Sequence, residues 1–335
     1  MTSWEPVDLD VVLDGDAPRE RPTRLRRADG TGLLYPGRLH SLAGEPSGGK
    51  TWIAAHAVAE ALADVQVAVV LDLEDSPRLW VDRLRRLGAD DKAIRLGLRY
   101  IRPSERLDLE GASALSLVLD EFPALVVCDA FSGLLNLEGA DPNSSTDVER
   151  TYRRVLRPIR ESGAAILLLD HVTKAREGRG RWATGSERKL SALDGASYVL
   201  EVVRPFGRGR HGHGRLVLAK DRLGEVGTPG DVVADVHLTD DGTAVCLRLE
   251  VPTPRAEGEP FRPTVLMERV SQALAVAGAP LSSKQLEERV TGKASGVRLA
   301  VAALVADGNV TTTDGPRGAV LHHLFAEYIA PAEAS

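Results

Sequence analysis

The sequence predicts an α/β protein with a mostly parallel central sheet, an antiparallel extension of that sheet, and a small C-terminal unit. Three observations predict it. Between residues 37 and 170, short apolar runs alternate with segments of helical periodicity. Past residue 190 the apolar runs become strand-like and are joined by short turns. Residues 251–263 then hold four prolines and no apolar period, which marks a linker before a last segment.

Taken in order, residues 1–36 are mostly polar, with Pro18, Pro22 and a basic cluster at Arg24, Arg26 and Arg27. They read as an N-terminal arm whose charges form a solvated face or a subunit contact. The apolar run Leu39–Ala43 opens the main domain, which spans 37–250. A helical pattern follows from Lys50 to Ala63, then the β-branched run Val67–Leu73. Helical spacing returns at Pro77–Leu87, a short strand at Leu98–Ile101, and a helix at Ala112–Phe122. Leu125–Cys128 and Ala164–Leu169 read as buried strands, with a largely polar helix between them over Val148–Ser162, kinked at Pro158. Strands that are continuous apolar runs between helices indicate a parallel sheet covered on both faces. Ala196–Val203, Arg215–Ala219, Val232–Leu238 and Ala244–Leu249 are the strands of the antiparallel extension.

Residues 264–330 read as a separate unit. Val265–Ala277 is helical, a second helix capped by Ser282 or Ser283 runs to Val290, and Ser295–Asp307 is a third. Gly308–Thr313 and Ala319–Phe325 flank a turn. Three helices and a hairpin predict a winged helix-turn-helix.

Composition bounds the function. The chain has 335 residues, 43% of them hydrophobic, and a net charge of −6, so a large core is available and any nucleic-acid site must be local. The two cysteines, Cys128 and Cys246, belong to no metal pattern and read as buried free thiols of a reducing compartment. The acidic N-terminus has no apolar stretch of the signal-peptide kind and no apolar run reaches 18 residues, so a cytoplasmic protein without a membrane span is expected.

The chemistry centres on G-E-P-S-G-G-K-T, residues Gly44, Glu45, Pro46, Ser47, Gly48, Gly49, Lys50 and Thr51. It fits the phosphate-binding pattern G-x-x-x-x-G-K-[ST] without a mismatch and lies between a strand and a helix. The glycines let backbone N–H groups wrap a phosphate, Lys50 reaches the β- and γ-phosphates, and the Thr51 hydroxyl binds Mg²⁺. The start of the following helix, at Trp52, adds its positive end. ATP and Mg²⁺ are therefore the expected cofactors.

Ligands of such sheets sit at the carboxyl ends of the strands, and polar residues stand at each of them. Asp129 ends one strand, where an Mg²⁺-linked aspartate belongs. Glu74 and Asp75 end another, and either carboxylate there could activate water; Glu74 is preferred. His171 follows a third strand and reads either as a sensor of the γ-phosphate or as a structural histidine. Two basic stretches stand out. Val172–Lys189 holds Lys174, Arg176, Arg179, Arg181, Arg188 and Lys189 against two glutamates, with glycines and Trp182, which suits single-stranded nucleic acid or a solvated loop. Arg204–Arg215 reads as a hairpin tip, and its His211 and His213 lack a third metal ligand. Lys220 and Arg222 end a strand far along the chain from the phosphate loop.

These residues together carry a resemblance. G-E-P-S-G-G-K-T, then L-D-L-E-D-S-P, L-V-V-C-D-A-F-S-G-L, I-L-L-L-D-H-V-T-K and L-V-L-A-K-D-R-L-G resemble the RecA-like hexameric helicase superfamily. The chain looks most like plasmid RepA-type replicative helicases and related ATPases of phages and mobile elements, over about residues 35–250. The resemblance implies that Glu74 is the catalytic glutamate, Asp129 the Mg²⁺-linked aspartate and His171 the γ-phosphate sensor. It implies that Lys220 and Arg222 form a K-x-R finger acting on a neighbouring subunit, hence a homo-oligomeric, hexameric ring that moves on single-stranded DNA. The sequence departs from the family in one place. Ser132–Asp147, where a DNA-gripping loop belongs, is acidic and has no Lys or Arg, which shifts DNA contact to Lys174, Arg176, Arg179, Arg181 and Lys189. The C-terminal unit is charge-neutral, with Lys284, Arg289, Lys293 and Arg298 on or near its second and third helices, and reads as a DNA reader or a protein-docking module.

Overall fold

The computed structural model describes residues 9–15, 19–171, 192–207, 209–252, 264–292, 294–316 and 319–328. A nine-stranded sheet has the order β3-β2-β4-β5-β1-β6-β7-β8-β9. Its strands are β1 (Leu39–Gly44), β2 (Ala68–Asp72), β3 (Leu98–Ile101), β4 (Leu125–Asp129), β5 (Ala165–His171), β6 (Ala196–Arg204), β7 (His211–Asp221), β8 (Val232–Asp240) and β9 (Val245–Glu250). The helices of this part are a single turn α1 (Asp10–Leu13), then α2 (Lys50–Ala63), α3 (Pro77–Arg86), α4 (Asp91–Gly97), α5 (Leu109–Leu119), α6 (Phe131–Leu137), α7 (Ser145–Thr151) and α8 (Arg157–Glu161).

The apolar strand runs work because the sheet has two covered faces. Along β2 successive residues alternate between cores. Ala68 and Val70 join the cluster packed on Ile53, Ala54 and Val58 of α2 with Trp80 and Leu84 of α3. Val69 and Leu71 join the cluster packed on Leu115 and Leu119 of α5 with Phe131, Leu135 and Ile159. A strand buried on both sides has no polar position to spare, which is why it reads as a continuous apolar run.

Several details differ from the sequence reading. The antiparallel extension starts one strand later, since β6 still runs parallel to β1 and only β6–β7, β7–β8 and β8–β9 are antiparallel. The helix expected over Val148–Ser162 is α7, a π-helical turn at Tyr152–Leu156, and α8. Pro158 falls in the first turn of α8, directly after the π-helical turn. The helices α4 and α6 are additional. Cys128 is buried as expected, but Cys246 is exposed.

The N-terminal arm is corrected in its last third. Leu25, Leu33, Leu34 and Tyr35 are fully buried in the main core. The backbone N–H groups of Leu25 and Arg26 donate to the two Glu60 carboxylate oxygens of α2, and the Ala28 N–H donates to the Leu249 carbonyl of β9. Arg26 pairs with Asp64 at 2.8 Å and Arg27 with Asp29 at 2.6 Å. The basic cluster is thus tied down within the chain.

The C-terminal segment holds α9 (Thr264–Ala277), α10 (Ser283–Arg289) and α11 (Ala294–Ala306). Its sheet has the order β10-β12-β11, from β10 (Leu281–Ser282), β11 (Val310–Asp314) and β12 (Val320–Leu324). Ser282 caps α10 in a capping box with Gln285. Met267, Val270, Leu286, Ala300 and Leu304 form its own apolar core. The segment also touches the main sheet: Val265 is buried in the main core, and Glu268 pairs with Arg210 at 2.6 Å. No described helix is long and apolar enough to cross a membrane.

Candidate functional site

The phosphate loop joins β1 to α2. Gly49 caps α2 with φ of 96° and Ser47 has φ of 60°, both left-handed, so the loop turns sharply enough to aim its N–H groups inward. At Gly49 no other residue fits. A Cβ there would stand 2.5 Å from the ring of Phe206, which lies over the loop from the β6–β7 connection. The Lys50 ammonium is buried and donates to the carbonyls of Gly44 (3.0 Å) and Glu45 (2.9 Å). Burial lowers its pKa, against the pull of Asp129, Glu74, Asp170 and Glu45. The side chain therefore bridges back across the loop to its first two residues.

The Thr51 hydroxyl donates to Asp129 Oδ2 at 2.9 Å. Asp129 ends β4 and is buried. Burial pushes its carboxyl up to about 6; the Thr51 hydrogen bond opposes this, and the charges of Glu74 and Asp72 add to it. Asp72 ends β2 in register with Asp129. Two residues on, Glu74 lines the same cavity of about 450 Å³ as Ser47 to Trp52. Its neighbour Asp75 is instead paired with Arg83 of α3 at 2.6 Å. That geometry separates two carboxylates which the sequence left side by side.

The far wall of the cavity was not legible in the sequence apart from Trp52. Arg86 lies 5.7 Å over the Trp52 ring and pairs with the buried Asp240 of β8 at 2.6 Å. Phe206 and Leu238 complete an apolar side. The signal for Arg86 was its place on the last turn of α3; Phe206 and Asp240 lie more than 150 residues from the loop and gave none.

Glu45 is also buried, and its Oε2 has no hydrogen-bond partner among the described residues. Burial pushes its carboxyl up to about 7, while the charges of Arg269 and Lys50 pull it down. Arg269 lies on α9, so the C-terminal segment acts electrostatically on the phosphate loop.

His171 ends β5 beside the loop, in register with Gly44. Lys220 and Arg222 lie elsewhere. Ser197, opposite Lys220 in the β6–β7 ladder, is level with Ser41 near the start of β1. The pair therefore sits toward the end of the sheet away from its own phosphate loop. Lys220 donates to the Leu193 carbonyl at 2.7 Å and Arg222 is exposed. Lys174, Arg176, Arg179, Arg181 and Lys189 lie outside the described residues. The second basic stretch is engaged locally. His213 and Arg215 approach the buried Asp235 at 3.1 and 3.4 Å, and His213 stacks on His237. Among the described residues no group of three or more His, Cys, Asp or Glu could hold a metal.

The donor set fits a nucleotide with its metal: a glycine cradle, a buried ammonium on two carbonyls, and a hydroxyl–carboxylate pair at the ends of adjacent elements. Lys50 and the loop N–H groups would hold the phosphates, and Thr51 with Asp129 would hold Mg²⁺, which supplies charge neutralisation of the phosphate oxygens.

Residues 5–177, just over half of the chain, match the family model AAA_25, described as an AAA domain. No curated protein matches. Among solved structures, the chain is similar to the KaiC-like protein PH0186 from Pyrococcus horikoshii OT3. Identity is 13% and the TM-score 0.48, covering 69% of this chain and 99% of that one.

Proposed function

The chain belongs to the AAA domain family AAA_25, P-loop ATPases of RecA-like fold, and from that premise we propose that it is an ATP-hydrolysing ring motor acting on DNA. The motor is helicase-like and serves a phage, plasmid or other mobile element. In this reading Glu74 is the general base that orients and deprotonates the attacking water. Lys50 steadies the charge developing on the γ-phosphate, and His171 senses that phosphate from the end of β5.

The observation that carries the ring is the place of Arg222. It is exposed, and it lies away from its own phosphate loop at the other end of β1. Any phosphate it neutralises belongs to another subunit. The Arg222 backbone N–H donates to the Gly195 carbonyl at 3.2 Å, which anchors the turn that presents it. Single-stranded DNA is assigned to Lys174, Arg176, Arg179, Arg181 and Lys189. We read the C-terminal segment, with three helices and a three-stranded sheet, as a winged helix that reads DNA or docks a protein. The reading places the protein in the cytoplasm.

One observation favours a second reading, a RecA-like regulator, loader or recombination mediator that is not a helicase. Residues 132–147, at the mouth of the strand carrying Asp129, hold no Lys or Arg. The deciding experiment is ATP hydrolysis with and without single-stranded DNA over a range of protein concentrations. Turnover that rises steeply with protein and with DNA supports the motor. Turnover indifferent to DNA supports the regulator, and no turnover at all removes both.

A further inference from the structure

The loop after β2 is held by a device that the ATPase reading does not use. Asp72 is fully buried. Its Oδ1 accepts the backbone N–H groups of Glu74 (3.0 Å) and Asp75 (2.8 Å). Its Oδ2 accepts the hydroxyl of Tyr100 at 2.5 Å, from the neighbouring strand β3. Both carboxylate oxygens are engaged from opposite sides, so the carboxylate cannot rotate without losing a bond. The turn is pinned a second time where Asp75 pairs with Arg83.

This arrangement carries a cost that folding alone does not explain. Asp72 stands in register with Asp129, and Glu74 lies two residues away. Three carboxylates then share one end of the sheet. The negative charge of Asp72 works against ionisation of Asp129. A serine or asparagine could accept the same turn N–H groups without adding that charge. A charged acceptor makes bonds roughly twice as strong, and so holds the turn more stiffly. Stiffness matters because a displacement of about 1 Å in a positioning group can cost about a hundredfold in rate.

We propose that Asp72 and Tyr100 are positioning residues for hydrolysis, fixing the β2–α3 turn so that Glu74 faces the phosphate loop. Neither touches the nucleotide; Tyr100 acts on Asp72, and Asp72 on the backbone of Glu74. The proposal rests on the reading of Glu74 as the base.

The test measures steady-state ATP hydrolysis and nucleotide affinity of the full chain in Tyr100→Phe and Glu74→Gln, singly and combined. Tyr100→Phe is expected to lower kcat about tenfold and leave KM for ATP within about twofold. In the Glu74→Gln background it is expected to do nothing further, because a misplaced base that is already absent cannot be missed. An unchanged kcat in folded Tyr100→Phe overturns the proposal, and so does an equal loss in both backgrounds. If Glu74→Gln alone hydrolyses ATP like the wild type, the base assignment itself falls and takes the proposal with it. Should Tyr100→Phe fail to fold, Asp72→Ala and Asp72→Asn carry the test. The asparagine oxygen keeps both turn bonds in weaker, uncharged form, so Asp72→Asn is expected to recover part, and not all, of the kcat that Asp72→Ala loses. Equal loss in the two overturns the proposal.

Discussion

The Thr51 hydroxyl and the Asp129 carboxylate meet at 2.9 Å, which brings the first turn of α2 and the end of β4 to a single point. Burial of that carboxylate is expected to make nucleotide binding depend on pH. Burial raises the Asp129 carboxyl to about 6, so below that pH it is protonated and uncharged. In the proposed reading Asp129 would help to hold Mg²⁺ in its ionised form, so metal and proton would compete for the carboxylate. Affinity for Mg²⁺·ATP is expected to be flat above about pH 7 and to fall about tenfold per unit below 6. Asp129→Asn is expected to bind weakly at every pH, with no inflection. Titration of a fluorescent ATP analogue between pH 5 and 8 checks both.

Glu45 supplies a stability prediction of definite sign. Its carboxyl is raised from the usual 4.5 to about 7 by burial. The folded state therefore holds this proton more tightly than the unfolded chain does. Stability from the neutral form is full below about 4.5 and is lost as pH rises through 7. Glu45→Gln cannot ionise and should gain on the wild type above pH 7, by roughly 3 kcal/mol, with the gap closing near pH 4.5. Arg269→Met removes a charge that favours ionised Glu45. It should widen the wild-type loss above pH 7 and have no such pH-dependent effect when combined with Glu45→Gln. Urea unfolding at pH 5 and pH 8 measures these differences.

Much of this site is legible in the sequence, and the reasons the rest is not are physical. The phosphate loop is local chemistry, so eight consecutive residues declare it. Leu125–Asp129 declares itself too, because a strand buried on both faces must be apolar until it reaches the site. Phe206, Asp240 and Arg269 reach the loop only through sheet register and helix packing, which no local pattern encodes. The sequence prefers Glu74 to Asp75 but cannot show that Arg83 takes the second of them. Residues 24–35 looked like a solvated arm because their charges are in plain view, whereas the partners Glu60 and Asp64 lie about 35 residues on and the buried Leu25, Leu33, Leu34 and Tyr35 follow no period.

Arg86 couples the nucleotide cavity to the stability of the fold. It covers Trp52 and neutralises Asp240, whose side chain is 3% exposed. Arg86→Ala leaves that carboxylate buried without its cation, and is expected to cost about 3–5 kcal/mol. Adding Asp240→Asn removes the stranded charge and should restore a large part of the loss. Thermal unfolding of the two variants tests this. If Arg86 also packs against the nucleotide, the double variant will stay weak in ATP binding although its stability returns.

The place of Arg222 allows a test of shared sites that no single variant provides. Arg222→Ala keeps an intact phosphate loop and lacks the finger; Lys50→Ala keeps the finger and lacks a working loop. In the motor reading each alone is expected to lose at least about a hundredfold in turnover. Mixed in equal parts and allowed to exchange, they can form interfaces in which the loop of one variant faces the finger of the other. Random assembly makes about a quarter of the interfaces competent, so turnover should recover toward about a quarter of the wild-type value. A protein whose finger acted within its own chain would show no recovery at any mixing ratio. The two ends of β1 keep Arg222 and Lys50 apart, and complementation is the result this separation predicts.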